Sequence, residues 1–355
     1  MLEHVSITIG GAPFTLWDEV VVHASVKETC RSASVTFQDS VATPVWPSLF
    51  IGQPAFVVSI ADGPIFTGFV ERAAPKLTPK TFMVTLSGRT KAADALDCTV
   101  DHTKPDYVNS HVLAVAQSQD RFGIGFAADF TPDGFDRWRP NPGDPLFHSL
   151  VPLVEEEGAT LHGLGDGSIR ITRAGESATP QSGALVYGVN IWDLDGEFDT
   201  SAQHSLIKCH GQSYKGNGVQ NIAIVAEANN ALVTRFRPFE EHHDRHTDRD
   251  RLKRRAKRRK DKEQGEGVRC SGRLRGWRDP GGGLLTPGKL MFITAPPLAL
   301  SQYMLIESLT YRQNGKTSGG TIAGLHFVDP RAHGGKAPKV SKSGKAWGFD
   351  DSEAE

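Results

Sequence analysis

The sequence predicts a mainly β protein with α+β parts: two barrel-like domains, an intervening small α/β module and a basic helical insertion. Its 355 residues include 37 Gly and 21 Pro, a composition that favours turns over long helices. Many short runs alternate apolar and polar residues between turn signals, which is typical of half-buried strands. The length of the chain is sufficient for two or three domains of ordinary size.

Residues 1–99 are predicted to form the N-terminal β-barrel domain. Val5, Ile7 and Ile9 alternate with polar residues before a turn at Gly10 and Gly11. Strands this short, separated by frequent turns, usually close into a small barrel or sandwich. The further predicted strands are residues 34–38, 55–60, 65–70 and 82–86, and the loop 61–64 has hairpin composition.

Residues 100–178 are predicted to form the α/β module. Asn109 or Ser110 is expected to cap a first helix that ends near Gln119. The last part of the module reads as a hairpin, with strands at residues 160–162 and 168–172 around a Gly-Asp-Gly turn.

A second helix of this module is predicted over Leu146–Glu157. Pro145 suits its first turn, an apolar stripe follows at helical spacing, and Gly158 is a stop signal. Pro152 lies inside the stripe and is expected to kink or shorten the helix, because proline cannot donate the backbone hydrogen bond there.

Strand patterns return after the module, and residues 179–239 and 267–330 are predicted to form the second β-barrel domain. Residues 240–266, which separate the two parts, mark the sharpest change of composition and are predicted to be a basic helical insertion. Residues 331–355 lack periodicity, so we expect a flexible C-terminal tail, or one that orders only on a partner. The predicted strands of this domain are residues 191–194, 205–209, 221–227, 268–277, 289–294, 304–311 and 322–328.

The basic insertion is the one segment whose composition indicates a specific interaction. Residues 249–262 contain ten Lys and Arg, which could neutralise phosphates and bind nucleic acid. No aromatic residues are interleaved to stack on bases, so an exposed helix or a protein contact is favoured over nucleic acid. The candidate residues for an assembly or polyanion contact are Arg249, Arg251, Lys253, Arg254, Arg255, Lys257, Arg258, Arg259 and Lys260.

No catalytic, cofactor-binding or metal-binding residues are predicted. His242 and His246 have the spacing of two ligands on one helical turn, but a third ligand is not evident. The run Glu155–Glu157 is expected to be a solvated face, since no second carboxylate is identifiable as a catalytic partner. The glycines at 281–283 are followed by no Gly-Lys-Ser/Thr, which favours a turn between strands over a phosphate loop.

The remaining composition places the protein in a reducing compartment and outside membranes. Its four cysteines are widely separated and are expected to be buried, reduced thiols rather than a disulfide framework. The N-terminus lacks the features of a signal peptide, and no stretch approaches the roughly 20 apolar residues that span a bilayer. We therefore expect a protein that is made in the cytosol and kept there, or packed into a particle assembled there.

Several segments, taken in order, resemble the central baseplate hub protein of Mu-like contractile-tailed phages, from the late control or tail hub family. Together they span roughly residues 14–328, and their collinear order carries the resemblance. Departures are Thr90, where the family often has Asp, Pro152, and the His-rich segment 242–246. The matching segments are Phe66–Val70 with Val84–Cys98; Leu146–Gly158 with the hairpin that ends at Ala174; Trp192–Asp199 with Ser205–Gly211; and Val233–Pro238 with the basic run and Gly276–Asp279.

The resemblance implies an architectural protein and not an enzyme. It implies a homotrimeric ring that joins a sixfold tail tube to a threefold spike, with wedge proteins around it and DNA only in transit through its channel. Its partners would be the tail spike protein, the tail tube or tube-initiator protein, and the baseplate wedge proteins. Its location would be the virion, after assembly in the host cytoplasm. Secretion-system spike hubs share this architecture. The alternatives are a nucleic-acid-binding protein that uses residues 249–262, or a tail-associated cell-wall hydrolase.

Overall fold

The computed structural model describes residues 3–101, 103, 106–213, 223–315 and 320–336. The protein is mainly β with α+β parts, so the predicted fold class is confirmed. The strands of the first part are β1 Ser6–Ile9, β2 Ala12–Pro13, β3 Glu19–Ser25, β4 Ser32–Gln38, β5 Ala55–Ile60, β6 Gly63–Leu77 and β7 Phe82–Thr90.

A small module follows, in which helices pack on short strands. It contains α1 Ala93–Asp97, β8 Tyr107–Ser110, α2 Val112–Gln119, β9 Phe126–Ala128, β10 Phe135–Trp138, α3 Leu146–Glu156, β11 Thr160–Gly163 and β12 Ile169–Thr172. The predicted hairpin is present, because β11 and β12 pair antiparallel. Helices α2 and α3 bury their apolar residues in one core with this hairpin.

Two details of the module differ from the sequence prediction. Helix α2 is capped by His111, whose Nδ1 accepts a hydrogen bond from the Ala114 amide at 3.2 Å, and not by Asn109 or Ser110. Helix α3 continues through Pro152 to Glu156 and is therefore not shortened there. It ends before Gly158, whose backbone φ of 62° is readily adopted only by glycine.

The last part of the chain returns to strands around one long helix. Its elements are β13 Pro180–Val186, β14 Asp193–Phe198, β15 Leu206–Gln212, β16 Ile224–Asn229, β17 Pro238–His246, α4 Arg249–Glu266, β18 Val268–Arg275, β19 Leu290–Ala295, β20 Leu300–Asn314 and β21 Thr321–Val328. Short 3-10 turns lie at Pro296–Leu298 and Pro330–His333.

Thirteen strands join the first and last parts of the chain into one sheet. The order along the main path is β14-β18-β21-β20-β3-β4-β7-β6-β5-β1-β2, and β19 pairs with β20 and β13. The connection is the antiparallel pairing of β20 with β3, from Ser308 opposite Ser25 to Asn314 opposite Glu19. One apolar core also contains residues from both parts, such as Phe56 and Phe327. The first and last parts of the chain therefore share a hydrogen-bonded junction.

The described strands between Leu206 and His246 do not join this sheet, which differs from the single second barrel predicted for residues 179–239 and 267–330. Strands β15, β16 and β17 form a separate three-stranded sheet in the order β16-β15-β17. The N-terminal part of the predicted helical insertion is also wrong, because residues 240–246 belong to β17, which pairs in parallel with β15. We call this unit the side sheet.

The flexible tail was predicted to begin at residue 331, which is too early. Arg331 and His333 are buried, and the turn that contains them is fixed by the Asp329 side chain, which accepts a hydrogen bond from the Arg331 amide at 3.0 Å. The structure describes the chain as far as Lys336, so the prediction for residues 337–355 lies outside the described residues.

The cysteines are free, as expected, although only two of them are buried. Cys209 and Cys270 are buried, whereas Cys30 and Cys98 are partly exposed. Burial raises the pKa of the Cys30, Cys209 and Cys270 thiols to about 12. Since the thiolate is the reactive form, these three thiols are inert at neutral pH.

Candidate functional site

Helix α4, which we call the basic helix, carries all nine candidate contact residues. It begins where the Asp248 carboxylate accepts a hydrogen bond from the Arg251 amide at 2.7 Å, and it ends at Gly267. Eighteen residues at 1.5 Å each make it about 27 Å long. Leu252 and Ala256 are fully buried against Ile207, Cys209 and other apolar residues of the side sheet. This narrow apolar stripe orients the helix and divides its charges among three faces.

The face toward β17 is occupied by intramolecular contacts. The Nε of Arg255 donates to Glu241 Oε1 at 2.7 Å, and the Nε of Arg259 donates to Glu263 Oε1 at 2.9 Å. The guanidinium of Arg259 also lies 4.7 Å from the ring centre of Phe239, a cation–π distance. Burial works against ionisation of Glu241, but the bonds from Arg255 and Cys209 outweigh it and hold its pKa below the usual value. These two arginines therefore hold the helix on the side sheet.

A second face of the helix borders a cleft of ≈ 560 Å³, whose opposite wall is the end of α3. Arg258 is half-buried there and donates from Nη1 to the backbone oxygen of Glu156 at 3.3 Å. This places a cation at the negative end of the α3 dipole, where it is stabilising. Burial lowers the pKa of Arg258, and the nearby positive charge of Arg173 lowers it further. The carboxylate of Glu157 acts in the opposite direction. Arg258 thus links the basic helix to the α/β module.

The charges that line this cleft nearly cancel. The basic helix contributes five arginines and Lys262, and Lys27 adds a further cation. The acidic residues are Asp133, Glu155, Glu156, Glu157, Glu241 and Glu266. The cleft therefore does not present the uniformly positive surface that a polyanion needs.

The third face is exposed and strongly positive. Arg249, Lys253, Arg254 and Lys257 are exposed, and within the described ranges none of the four forms an ion pair. Arg249, Lys253 and Lys257 follow one another at intervals of four residues and lie on one side of the helix, and Arg254 lies between this side and the cleft, which it also lines. We call these four residues the exposed basic face. The two other candidates have weak local partners, Arg251 with Asp248 at 3.7 Å and Lys260 with Asp261 at 3.7 Å.

The structure separates the two histidines that had helical spacing. His242 and His246 both lie on strand β17 and not on one turn of a helix, as the sequence analysis assumed. Four residues of a strand span about 13 Å, whereas four residues of a helix span about 6 Å. In the described part of the chain, no three His, Cys, Asp or Glu side chains are grouped as a metal site requires.

The acidic run at the end of α3 is only partly solvated, so the expectation for Glu157 is wrong. Its carboxylate is buried, accepts from the Asp133 amide at 2.8 Å and is 3.0 Å from Arg173 Nη2.

The glycines at 281–283 form the predicted turn, because Asp279 accepts hydrogen bonds from the amides of Gly281 and Gly283.

One exposed surface was missed by the sequence analysis. Tyr187, Val189 and Trp192 are exposed, the last by 65%, and they flank a tight turn that leads into β14. Strand β14 is an end strand of the large sheet and pairs with β18 only, as far as the structure describes the chain. A strand edge beside exposed apolar side chains is typical of a protein contact. We call this the β14 edge.

The fold of the described residues is that of phage tail proteins. No helix among these residues is both long and apolar enough to cross a membrane. Two solved tail proteins match nearly the whole chain. The 43 kDa tail protein of prophage MuSo2 from Shewanella oneidensis superposes with a TM-score of 0.80 at 22% identity, over 93% of this chain and 99% of that one. A tail protein from Neisseria meningitidis gives a TM-score of 0.76 at 17% identity, over 92% and 98% of the two chains.

The particular relative found by sequence is the baseplate hub protein gp44 of Escherichia phage Mu. It is 23% identical over 323 residues, which cover 87% of this chain and 83% of gp44. A component of the Escherichia coli type VI secretion system has the same fold at 11% identity, with a TM-score of 0.57 over 96% of this chain and 78% of that one. No family model matches the chain. The predicted resemblance to Mu-like hub proteins is confirmed, and these relatives indicate a tail or baseplate protein.

Proposed function

We propose that this protein is the structural hub of a contractile-tail baseplate and has no enzymatic role. In this proposal three copies form a ring that joins a sixfold tail tube to a threefold spike, surrounded by wedge proteins. The similarity to the Mu baseplate hub protein over most of both chains supports the assignment. The work of such a protein is to present surfaces, so its functional residues are those that contact other subunits.

The observation that carries the proposal is the β14 edge. It leaves one side of a strand without a hydrogen-bonding neighbour among the described residues and surrounds it with exposed apolar groups. The opposite end of the same sheet is the short strand β2, which is also exposed. Two different surfaces at opposite ends of the sheet suit a head-to-tail contact, which forms a closed ring when the rotation between subunits is one third of a turn.

The two strand-rich parts of the chain also suit a protein that joins a threefold spike to a sixfold tube. Each chain contributes two strand-rich parts, one before and one after the α/β module, joined through β3 and β20. A trimer would contain six such parts, which is the number of subunits in a sixfold tube. In this arrangement the tube or tube-initiator protein binds above the ring, the spike protein binds below, and DNA passes through the channel without specific contacts. The protein would act in the virion after assembly in the host cytoplasm.

The exposed basic face supports a second candidate function, binding to nucleic acid. Four cations that form no ion pair with the described residues lie along about 12 Å of helix, and each could contact a phosphate. The other five candidates argue for a structural use of the run, since they are engaged in the contacts described above. A salt titration of DNA binding with the Lys253→Gln, Lys257→Gln variant separates the two. The hub proposal predicts no loss of self-association in this variant.

The proposal is tested by weakening the β14 edge. Trp192→Ser removes an exposed aromatic group, so it should leave folding intact while reducing self-association in sedimentation velocity experiments. Phe236→Ser is the matched control, because Phe236 is also exposed, by 82%, but lies in the loop before β17. Equal self-association of the Trp192 variant and the unmodified protein would contradict the assigned surface.

A further inference from the structure

We propose that the acidic end of the chain, residues 350–355, docks on the exposed basic face of the same molecule. The face is formed by Arg249, Lys253, Arg254 and Lys257. The segment contains four carboxylates in six residues, at Asp350, Asp351, Glu353 and Glu355. The proposal concerns the single chain and does not depend on the baseplate function.

The described part of the chain passes the C-terminal end of the basic helix shortly before the acidic segment. The turn at Pro330–His333 packs on the end of the basic helix, and Arg331 Nη1 donates to Gln264 Oε1 at 3.2 Å. Gln264 follows Lys257 by seven residues, two turns of helix, and therefore lies on the same side of the helix as Lys257. The turn thus lies near the C-terminal end of the basic helix, and the chain then runs past Gly175, whose amide donates to the backbone oxygen of His333 at 2.9 Å.

The connection is long enough. Fourteen residues lead from Lys336 to Asp350 and span at most about 46–50 Å when extended. Along the helix, Gln264 is about 10 Å from Lys257 and about 22 Å from Arg249, at 1.5 Å for each residue. The acidic segment can therefore reach every residue of the face without strain. A short tether of this kind also gives an effective concentration on the order of millimolar.

The charges favour this face over the neighbouring cleft. The cleft presents Glu155, Glu156 and Glu157 on its far wall, so its charges nearly cancel and attract the segment less. On the exposed basic face the four cations outnumber the nearby carboxylates, which are Asp250 in the first turn and Asp261 close to Lys257. Lys339, Lys342 and Lys345 precede the acidic segment, and they are the alternative partners for its carboxylates.

The docking is held by exposed ion pairs, so it should be salt-sensitive. Each such pair is weak, and added salt shortens the range of the attraction from about 10 Å at 0.1 M to about 3 Å at 1 M. In low salt the segment would shield the basic helix from other polyanions. In an assembly, a partner with a stronger anionic surface would displace it.

The test is zero-length carbodiimide cross-linking of the full chain in low salt, read by mass spectrometry. The expected products join a carboxylate of residues 350–355 to Lys253 or Lys257, and they should disappear in 1 M salt. Lys27 and Glu307, whose charged atoms are 2.7 Å apart, provide an internal positive control. Cross-links from the segment to Lys339, Lys342 or Lys345 alone would overturn the proposal. In an equal mixture of ¹⁴N- and ¹⁵N-labelled chains, products that join the two isotopes would also overturn it.

A second measurement tests the shielding itself. Asp350→Asn, Asp351→Asn, Glu353→Gln, Glu355→Gln together should raise the affinity for a short DNA duplex by about fivefold to tenfold in low salt. Adding Lys253→Gln and Lys257→Gln to this variant should remove the gain, whereas Lys76→Gln and Lys80→Gln should not. The latter pair is an exposed control far along the sequence, at the end of the β6–β7 hairpin. An unchanged affinity in the neutralised variant would overturn the shielding.

Discussion

Asp329→Ala should destabilise the protein by about 3–5 kcal/mol, because it removes the carboxylate from a buried ion pair. Asp329 is fully buried and Arg331 is 5% exposed. The Asp329 carboxylate accepts from Arg331 Nε at 3.0 Å and from Nη2 at 2.9 Å, a two-point contact. It also accepts from the Arg331 amide at 3.0 Å. Truncation to alanine therefore leaves a buried guanidinium without its carboxylate.

A double variant separates the two contributions to this loss of stability, which are the broken ion pair and the cost of keeping the Arg331 charge buried. Asp329→Ala with Arg331→Met removes both charges, so it should recover about 1–4 kcal/mol of the loss caused by Asp329→Ala alone. Glu19→Ala is the control, since its contact with Arg312 is largely exposed and should contribute less than about 1 kcal/mol. The assay is urea unfolding followed by tryptophan fluorescence at neutral pH.

The reasoning would be refuted by a loss below about 1 kcal/mol for Asp329→Ala, since that is the value of an exposed pair. It would also be refuted if the double variant lost as much as the two single variants together. Either result would mean that water reaches Arg331. The ion pair also fixes the turn Pro330–His333, which contacts the basic helix through Gln264.

Two further predictions concern the large sheet and its junction with the C-terminal turn. Gly68→Ala should destabilise the protein by at least about 3 kcal/mol, because a Cβ there would lie 1.9 Å from the backbone oxygen of Arg89, whereas Gly134→Ala should be nearly neutral in the same urea unfolding assay. Burial opposes ionisation of Glu307, but hydrogen bonds from His333 and Lys27 lower its pKa to about 2. Its stabilisation is therefore full above its ordinary pKa of 4.5 and is lost as the pH falls toward 2, so Glu307→Gln should flatten the acid limb of the stability curve. An acid limb of unchanged steepness would contradict the assigned pKa.

Local sequence patterns were sufficient to predict those strands whose own residues alternate regularly between apolar and polar. The run 55–60 was predicted with the bounds that β5 has, because its alternation of buried and exposed residues is regular. The run Val20–Val22 was not identified, although β3 is the strand that joins the two parts of the sheet. Its role depends on pairing with β20, which is almost 300 residues away, and such a pairing leaves no local signal in the sequence.

The same limit applies to the candidate site. Residues 240–246 have the composition of a solvated helix, but parallel pairing with β15 makes them a strand, and Asp248 supplies the cap from which the helix begins. The nine basic residues are alike in sequence, yet the structure divides them by the direction in which each side chain points around one helix. The exposure of Trp192 could have been suspected from its place between a Gly-containing turn and an acidic strand.

The mass of the assembled protein tests the proposed hub most directly. Sedimentation equilibrium over a range of concentrations should converge on three chains of 38.5 kDa, about 116 kDa, and electron micrographs of the same sample should show rings. The Trp192→Ser variant should shift this equilibrium toward monomer. A monomer at every concentration, with no rings even when a partner spike protein is added, would contradict the proposed hub.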